Sequence, residues 1–348
     1  MSASAPSVPA KGGRSALPYL GVLALGVALA LLPYAGPTNH VVSLATSAVI
    51  FAIAGSGLGF LWGQSGQLSM AHAAVFGLGG YAGAITAKFF GLSFLAAMPV
   101  AVLVGLVSGA LVALPSLRTQ GHYFVILTFA IGEVIAVVQR RIEWLTGGQE
   151  GISAQPGKQV LLGLRLANRG EYFTLIVLIG TAVLLVLLLI MRSRWGTTLR
   201  GMRENAPLAA SLGVNVTLNR IYAFAISGAV AGLAGHLYLY QVRFIEPNLF
   251  TAQASIIFLM IVLLGGKTYL LGPAVGAFLY FFLSEFLGLP PVWNLIGFGV
   301  VLIVMILVAP NGILSIIQNL VAPRAKPNAG TEAADKGQAQ VSDLPNKA

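Results

Sequence analysis

Apolar residues run through this chain in long blocks rather than in alternation with polar ones. A helix crossing a bilayer core of about 30 Å needs about 20 such residues. Blocks of that order lie near 17–33, 41–62, 72–90, 92–114, 123–138, 171–191, 219–242, 253–266, 273–289 and 292–309. The clearest covers 175–191, an unbroken run of Leu, Ile, Val, Ala, Gly and Thr closed by Met191. The pattern predicts an all-α, polytopic transmembrane helical bundle of about ten spans. The count falls to eight or nine if the short blocks at 123–138 and 253–266 only half-span. The period-two signal of a β-barrel is absent. Lys11 and Arg14 precede the first block as they would in a signal peptide. That block runs on to about Leu32 with no clean small-residue cleavage site, so it reads as a retained helix.

Polar stretches set the borders. Residues 1–16 and 321–348 hold Ala, Pro, Ser, Gly, Lys, Gln and Asn with almost nothing to bury, and read as disordered tails around a membrane domain at 17–320. The longest internal connections, 139–170 and 192–218, leave no room for a soluble catalytic domain.

Composition sharpens this picture. Charged residues make up 9% of the chain and hydrophobic ones 57%, against about 25% charged in a soluble domain, so a soluble protein is excluded. No cysteine is present, which removes disulfides, thiolate metal sites and thiol catalysis. The net charge of +10 would suit an anionic partner, but its placement points elsewhere. With 192–218 in the cytoplasm, ten spans put both termini there, and thirteen of the twenty Lys and Arg residues fall on that side. Such a bias is an orientation signal; it makes 139–170 the periplasmic loop. Basic groups scattered over so many connections argue against nucleic acid.

Two segments stand out. Of the 42 glycines, Gly55, Gly57, Gly59, Gly63 and Gly66 punctuate the end of the second block, and Gly77, Gly79, Gly80 and Gly83 sit in the third. Between them Gln64, Ser65, Gln67, Ser69 and His72 are too polar for lipid. A glycine-rich broken helix near 63–72 is predicted, of the kind tolerated where backbone is buried or lines a watery cavity. Gln64, Gly66, Ser69, His72 and Gly79 are the candidate lining of such a path. The pairs Gly105–Gly109 and Gly228–Gly232 fit close helix packing. The second segment is 192–218. Leu199, Met202, Ala206, Ala209, Ala210 and Gly213 recur at helical spacing, Asn205 suits an N-cap that lets Pro207 sit in a first turn, and Gly213 suits a stop. Two short helices with one apolar face are predicted there, either a basic loop that holds topology or a docking element for a cytoplasmic partner.

Other motifs carry less. Gly265-Gly-Lys-Thr268 imitates the end of a phosphate-binding loop, but Ile261 stands where its first glycine belongs, so the chain is not expected to bind ATP itself. His40, His72, His122 and His236 lack metal-ligand spacing and read as satisfied loop or helix-end residues; no metal site is expected. Glu133 and Glu285 lie in or near spans, where ionisable groups draw functional suspicion.

Five stretches resemble, in order, the LivM-like permease subunits of branched-chain amino-acid ATP-binding-cassette importers: Gly66–Tyr81, Gly121–Glu133, Thr146–Ile152, Arg192–Gly213 and Leu264–Gly276. The resemblance implies a non-catalytic permease domain at 17–320 in a bacterial inner (plasma) membrane, crossing it many times. It implies a second permease subunit as heterodimer partner, two cytoplasmic ATPase subunits that use the ATP, and a periplasmic substrate-binding protein; the chain itself needs no cofactor. Loop 192–218 then becomes the ATPase-coupling loop, with Arg200, Arg203, Glu204, Ala209 and Gly213 at matching positions, and the 63–72 break borders the path of an amino-acid substrate. Relatives of similar sequence serving urea or short amides are the alternative within the class. A proton- or sodium-coupled secondary transporter, using Glu133 or Glu285, is the alternative outside it.

Overall fold

The computed structural model describes residues 17–117, 119, 121–153, 160–161, 164–165, 168–288, 291–308 and 312–315; both tails and part of the 139–170 loop lie outside them. The described chain is helical almost throughout. The helices are α1 (Leu17–Ala30), α2 (Asn39–Phe60), α3 (His72–Phe90), α4 (Phe94–Ala113), α5 (His122–Arg141), α6 (Glu143–Thr146), α7 (Arg169–Met191), α8 (Arg194–Glu204), α9 (Ala206–Ser211), α10 (Val216–Val242), α11 (Ala252–Gly265), α12 (Gly272–Leu287) and α13 (Pro291–Val308). Four two-residue strands join as antiparallel pairs, β1 (Ile152–Ser153) with β4 (Phe244–Ile245) and β2 (Val160–Leu161) with β3 (Leu164–Arg165).

Apolar helices occupy all ten predicted blocks, but they are not alike in length. Six are long and apolar enough to cross a membrane: α2 with its extension to Ser65, α3, α4, α5, α7 and α10. Apolar runs in α1, α11 and α12 are shorter. Glycine is one reason. Gly266, at φ 106°, ends α11, and a close backbone approach between Gly265 and Gly272 turns the chain at once into α12. The chain is thus a multi-pass helical membrane protein. Its outer helix faces carry exposed Leu103, Leu106, Leu111, Val186 and Leu189, which suits lipid as the surrounding solvent.

The centre is built on α10, which packs on α4, α3 and α2, while α12 and α7 flank α2 and α1 covers α7. At its heart lies a double glycine crossing. Gly105 and Gly109 of α4 meet Gly228 and Gly232 of α10, where an added Cβ on either side would press into backbone of the other helix. Lipid tails give apolar side chains no reason to leave them, so membrane helices associate through such backbone-close packing. Buried hydroxyls are mostly satisfied within their own helices: Thr46, Ser56, Thr86 and Ser108 each donate to a carbonyl one turn back.

The candidate junction of loop and broken helix

The break in α2 begins as a change of helix type. After Phe60 the chain continues as a π-helix over Leu61–Ser65 and stops at Gly66, whose φ of 74° and ψ of 5° place it in the left-handed region glycine adopts without penalty. Single π turns inside α-helices recur at functional positions. Gly63 faces the Lys267 carbonyl so closely that no side chain would fit. The Lys267 ammonium lies 4.6 Å from the centre of the Trp62 ring. Gly265–Thr268 is therefore a tight turn that braces the π-helix.

Beyond Gly66 the chain doubles back. His72, the first residue of α3, donates from Nε2 to the Ala54 carbonyl oxygen at 2.9 Å. Ala54 lies about three turns, roughly 16 Å, before Ser65. Segment 66–71 therefore climbs alongside α2, and α3 starts deep in the bundle. Gln64, Ser69 and His72 are all buried. The start of α3 has no side-chain cap of its own; its amides are met from elsewhere. Thr128 of α5 accepts from Met70 N–H at 3.0 Å, Ser255 of α11 from Ala73 N–H at 3.0 Å, and Ser69 Oγ from Ala71 N–H at 3.3 Å. Buried irregular backbone is stable only with such partners.

Loop 192–218 folds into the two short capped helices expected, but the expected apolar face is narrower, since Ala206 is half-buried and Ala210 is exposed. Ser193 caps α8 by accepting from Gly196 N–H, Asn205 caps α9 by accepting from Leu208 N–H at 3.0 Å, Pro207 sits in the first turn, and Gly213 follows at φ 85°. Leu199, Met202 and Ala209 face inward, while Gly213 has open space around it. Trp195 anchors the entry, its Nε1 donating to Asn219 Oδ1 at 2.6 Å and its ring 6.3 Å from that of Phe60.

Loop and break are one structure. Arg200 donates from Nη1 to Gln64 Oε1 at 3.0 Å and to the Met191 carbonyl at 2.8 Å. Arg203 donates to the Gly63 carbonyl and pairs with Glu204, and its aliphatic stem covers Gly66, where a Cβ would come 2.8 Å from Arg203 Cγ. Arg203 thus supplies a charged donor to a π-helix carbonyl, and Arg200 supplies one to the Gln64 side chain of the same turn.

Gly79 lies apart from the junction, buried against the backbone of Gly232 in α10. His236 is a core residue of α10, donating to the Phe94 carbonyl at 3.0 Å, rather than the loop or helix-end residue expected. Glu285 is exposed and pairs with exposed His40 at 2.9 Å. The periodicity of 192–218 does not reveal Leu208 and Leu212, which stand 57% and 77% exposed beside Glu204, nor does any local signal mark Thr128 and Ser255 as caps for α3.

Residues 40–309 match the family described as branched-chain amino acid transport system / permease component. The chain is 31% identical over 314 residues to the high-affinity branched-chain amino acid transport system permease protein LivM of Escherichia coli strain K12, covering 83% of this chain and 74% of that one. It is 30% identical to the LivM of Salmonella typhimurium strain LT2, over 88% of this chain and 77% of the relative. A probable branched-chain amino acid transport permease protein LivM of Methanocaldococcus jannaschii is 32% identical over 63% of this chain and 67% of its own length. No solved structure matches the chain.

Proposed function

The chain belongs to the branched-chain amino acid transport system permease family, and on that premise we propose that it forms half of the translocation path of an ATP-driven importer for branched-chain amino acids. The path is completed by a second permease subunit; two cytoplasmic ATPase subunits supply the energy, and a periplasmic binding protein delivers the substrate. The chain carries no cofactor and catalyses no reaction of its own. It crosses a bacterial inner membrane ten times with both termini inside, α1, α11, α12 and α13 completing the six longer spans.

One observation carries the coupling. The helix pair α8–α9 hydrogen-bonds directly to the π-helix through Arg200–Gln64 and Arg203–Gly63. The ATPase docks on the outward side of this pair, where Leu208, Leu212 and Glu204 are exposed. Closure of the ATPase dimer shifts α8, and the two arginines pass that shift to residues 61–66. Segment 66–71 then moves against α2 and resets the buried start of α3, where Ser69 and His72 border the path. A π turn is a suitable receiver because it differs from an α turn by one hydrogen-bond register, so a small push has two discrete outcomes.

The test is uptake by liposomes holding the complete set of subunits. ATP and the binding protein together should drive accumulation of leucine, isoleucine or valine, and Glu204→Arg should weaken co-elution of the ATPase with this chain. Full uptake by this chain alone under an ion gradient would overturn the reading in favour of a secondary transporter. Uptake of urea or short amides instead would reassign the substrate.

A further inference from the structure

Ser227 of α10 is an exception among the buried hydroxyls. It is 1% exposed, and its Oγ has no hydrogen-bond partner. Leaving a buried polar group unpaired costs about 1–3 kcal/mol, so such a group calls for a physical reason. Ser227 lines a small cavity that it shares with Ser69, His72 and Val75 on one wall and Gly109 and Gly228 on the other. The space available to the centre of a water molecule is about 10 Å³, enough for one water and nothing larger.

The cavity lies at the start of α3, a 19-residue helix that begins inside the bundle. Aligned peptide dipoles place roughly half a positive charge at such an end. Ser69 Oγ accepts from Ala71 N–H, which leaves its own proton for another acceptor. Ser227 offers a second hydroxyl proton from across the cavity. Two hydroxyls lining one small cavity at the positive end of a helix, among apolar neighbours, form a donor set for a carboxylate. The Ala71 and Ala73 amides, already bonded to Ser69 and Ser255, add the helix field rather than free donors. An ammonium group would face the wrong end of the dipole.

We propose that Ser227, Ser69 and the amino-terminal end of α3 form the contact point for the carboxylate of the transported amino acid, closed in this structure to the size of one water. The inference rests on the reading of the chain as an amino-acid permease and adds a residue, Ser227, that neither motif nor composition singles out. It also places substrate contact at the far end of the chain of contacts that starts at α8, since movement of 66–71 shifts the Ser69 wall relative to α10.

The absence of cysteine makes the test direct. Ser227→Cys is close in size and introduces the sole thiol of this subunit. In the complete importer in liposomes, a small hydrophilic methanethiosulfonate is applied with and without vanadate-trapped nucleotide, and modification is read from the mass of this subunit. The expected result is modification at least tenfold faster in one state than in the other. Leucine should slow it at least tenfold, and the corresponding amine without the carboxylate should not. No modification in either state, or equal protection by the amine, overturns the proposal. Ser69→Cys, on the opposite wall, carries the same test if Ser227→Cys does not assemble. Uptake by wild-type vesicles separates the two levels. No amino-acid uptake overturns the import reading together with the inference, whereas normal uptake with no protection of the introduced thiol by leucine overturns the inference alone.

Discussion

Glycine does two opposite things in this molecule. At the α4–α10 crossing it removes side chains so that two regular helices touch through their backbones. At the end of α2 it ends regularity: Gly63 makes room for the Lys267 carbonyl and Gly66 turns the chain into the left-handed region. The first region is held by backbone packed against backbone, with Ser108 bonded within its own helix and Ser227 beside it facing the small cavity rather than holding the crossing. The second is held by two arginines, a cation–π contact and borrowed caps, each with a partner it can exchange. A rigid crossing beside an exchangeable junction is what rocking one part of a bundle against another requires, and the two regions should respond to mutation in different ways.

The largest effect is expected at the crossing. Gly228→Val would drive its side chain into the Gly105 carbonyl and the Gly109 backbone. Overpacking of this kind typically costs about 1–3 kcal/mol, with the upper value expected here because backbone gives way less than side chain. Thermal unfolding in detergent should shift down sharply and monodisperse yield should fall. An unchanged melting temperature would show that the helices separate at no cost, and the contrast between the two regions would be lost.

Arg203→Ala comes next and should behave differently. It removes the donor to the Gly63 carbonyl and the stem over Gly66, and a hydrogen bond to a charged group contributes about 1.5–3 kcal/mol. The loss falls on coupling, so substrate-stimulated ATP hydrolysis and uptake should drop roughly tenfold, as about 1.4 kcal/mol implies, with little change in melting temperature. Arg203→Lys should not restore them, because an ammonium cannot hold the Gly63 carbonyl and Glu204 with one planar fork. A large stability loss with intact coupling would reverse the assignment.

Gly66→Ala is expected to cost less, about 1–2 kcal/mol for a left-handed residue with a Cβ, because the Arg203 stem that it meets is flexible. Uptake should fall, and combination with Arg203→Ala should be less than additive, since the two residues touch. Additive losses would separate Gly66 from the arginine.

These contrasts also show why the sequence is legible in some places and silent in others. Apolar blocks announce the helices because a lipid surround demands long runs without polar side chains, although the helices within those blocks differ in length. Asn205, Pro207 and Gly213 mark the ends of α8 and α9 because capping is local chemistry within a few residues. The polar run Gln64–His72 betrays a break for the same reason. Arg200 and Arg203 are visible as charges, but their partners at Gln64 and Gly63 lie some 140 positions away, and periodicity does not carry such distances. Thr128, Ser255 and Ser227 are invisible because an isolated hydroxyl in an apolar helix usually bonds its own backbone, as Thr128 does to the Val125 carbonyl. Only tertiary packing tells which of them also meet a group from another segment, or none at all. Gly79 illustrates the converse, a glycine grouped with the break by proximity in sequence that packs instead against Gly232.

The smallest effect expected lies at the boundary between the arginine helix and the docking helix. Asn205 accepts from Leu208 N–H and so fixes the first turn of α9, while its own N–H closes α8 on the Gly201 carbonyl at 3.0 Å. Replacing a capping Asn by Ala costs about 1 kcal/mol. Asn205→Ala removes the side-chain bond but not the break, because Pro207 still cannot join a continuous helix with α8. Leu208 and Leu212 should therefore keep their outward face but hold it less firmly. ATPase binding should weaken by about fivefold or less, Arg200 and Arg203 contacts should persist, and Asn205→Asp should restore binding, since a carboxylate caps as well as an amide. The comparison sharpens through this variant: a junction built from exchangeable partners tolerates the loss of one cap, and a loss of coupling as deep as that of Arg203→Ala would mean that α8 and α9 transmit as one rigid piece instead.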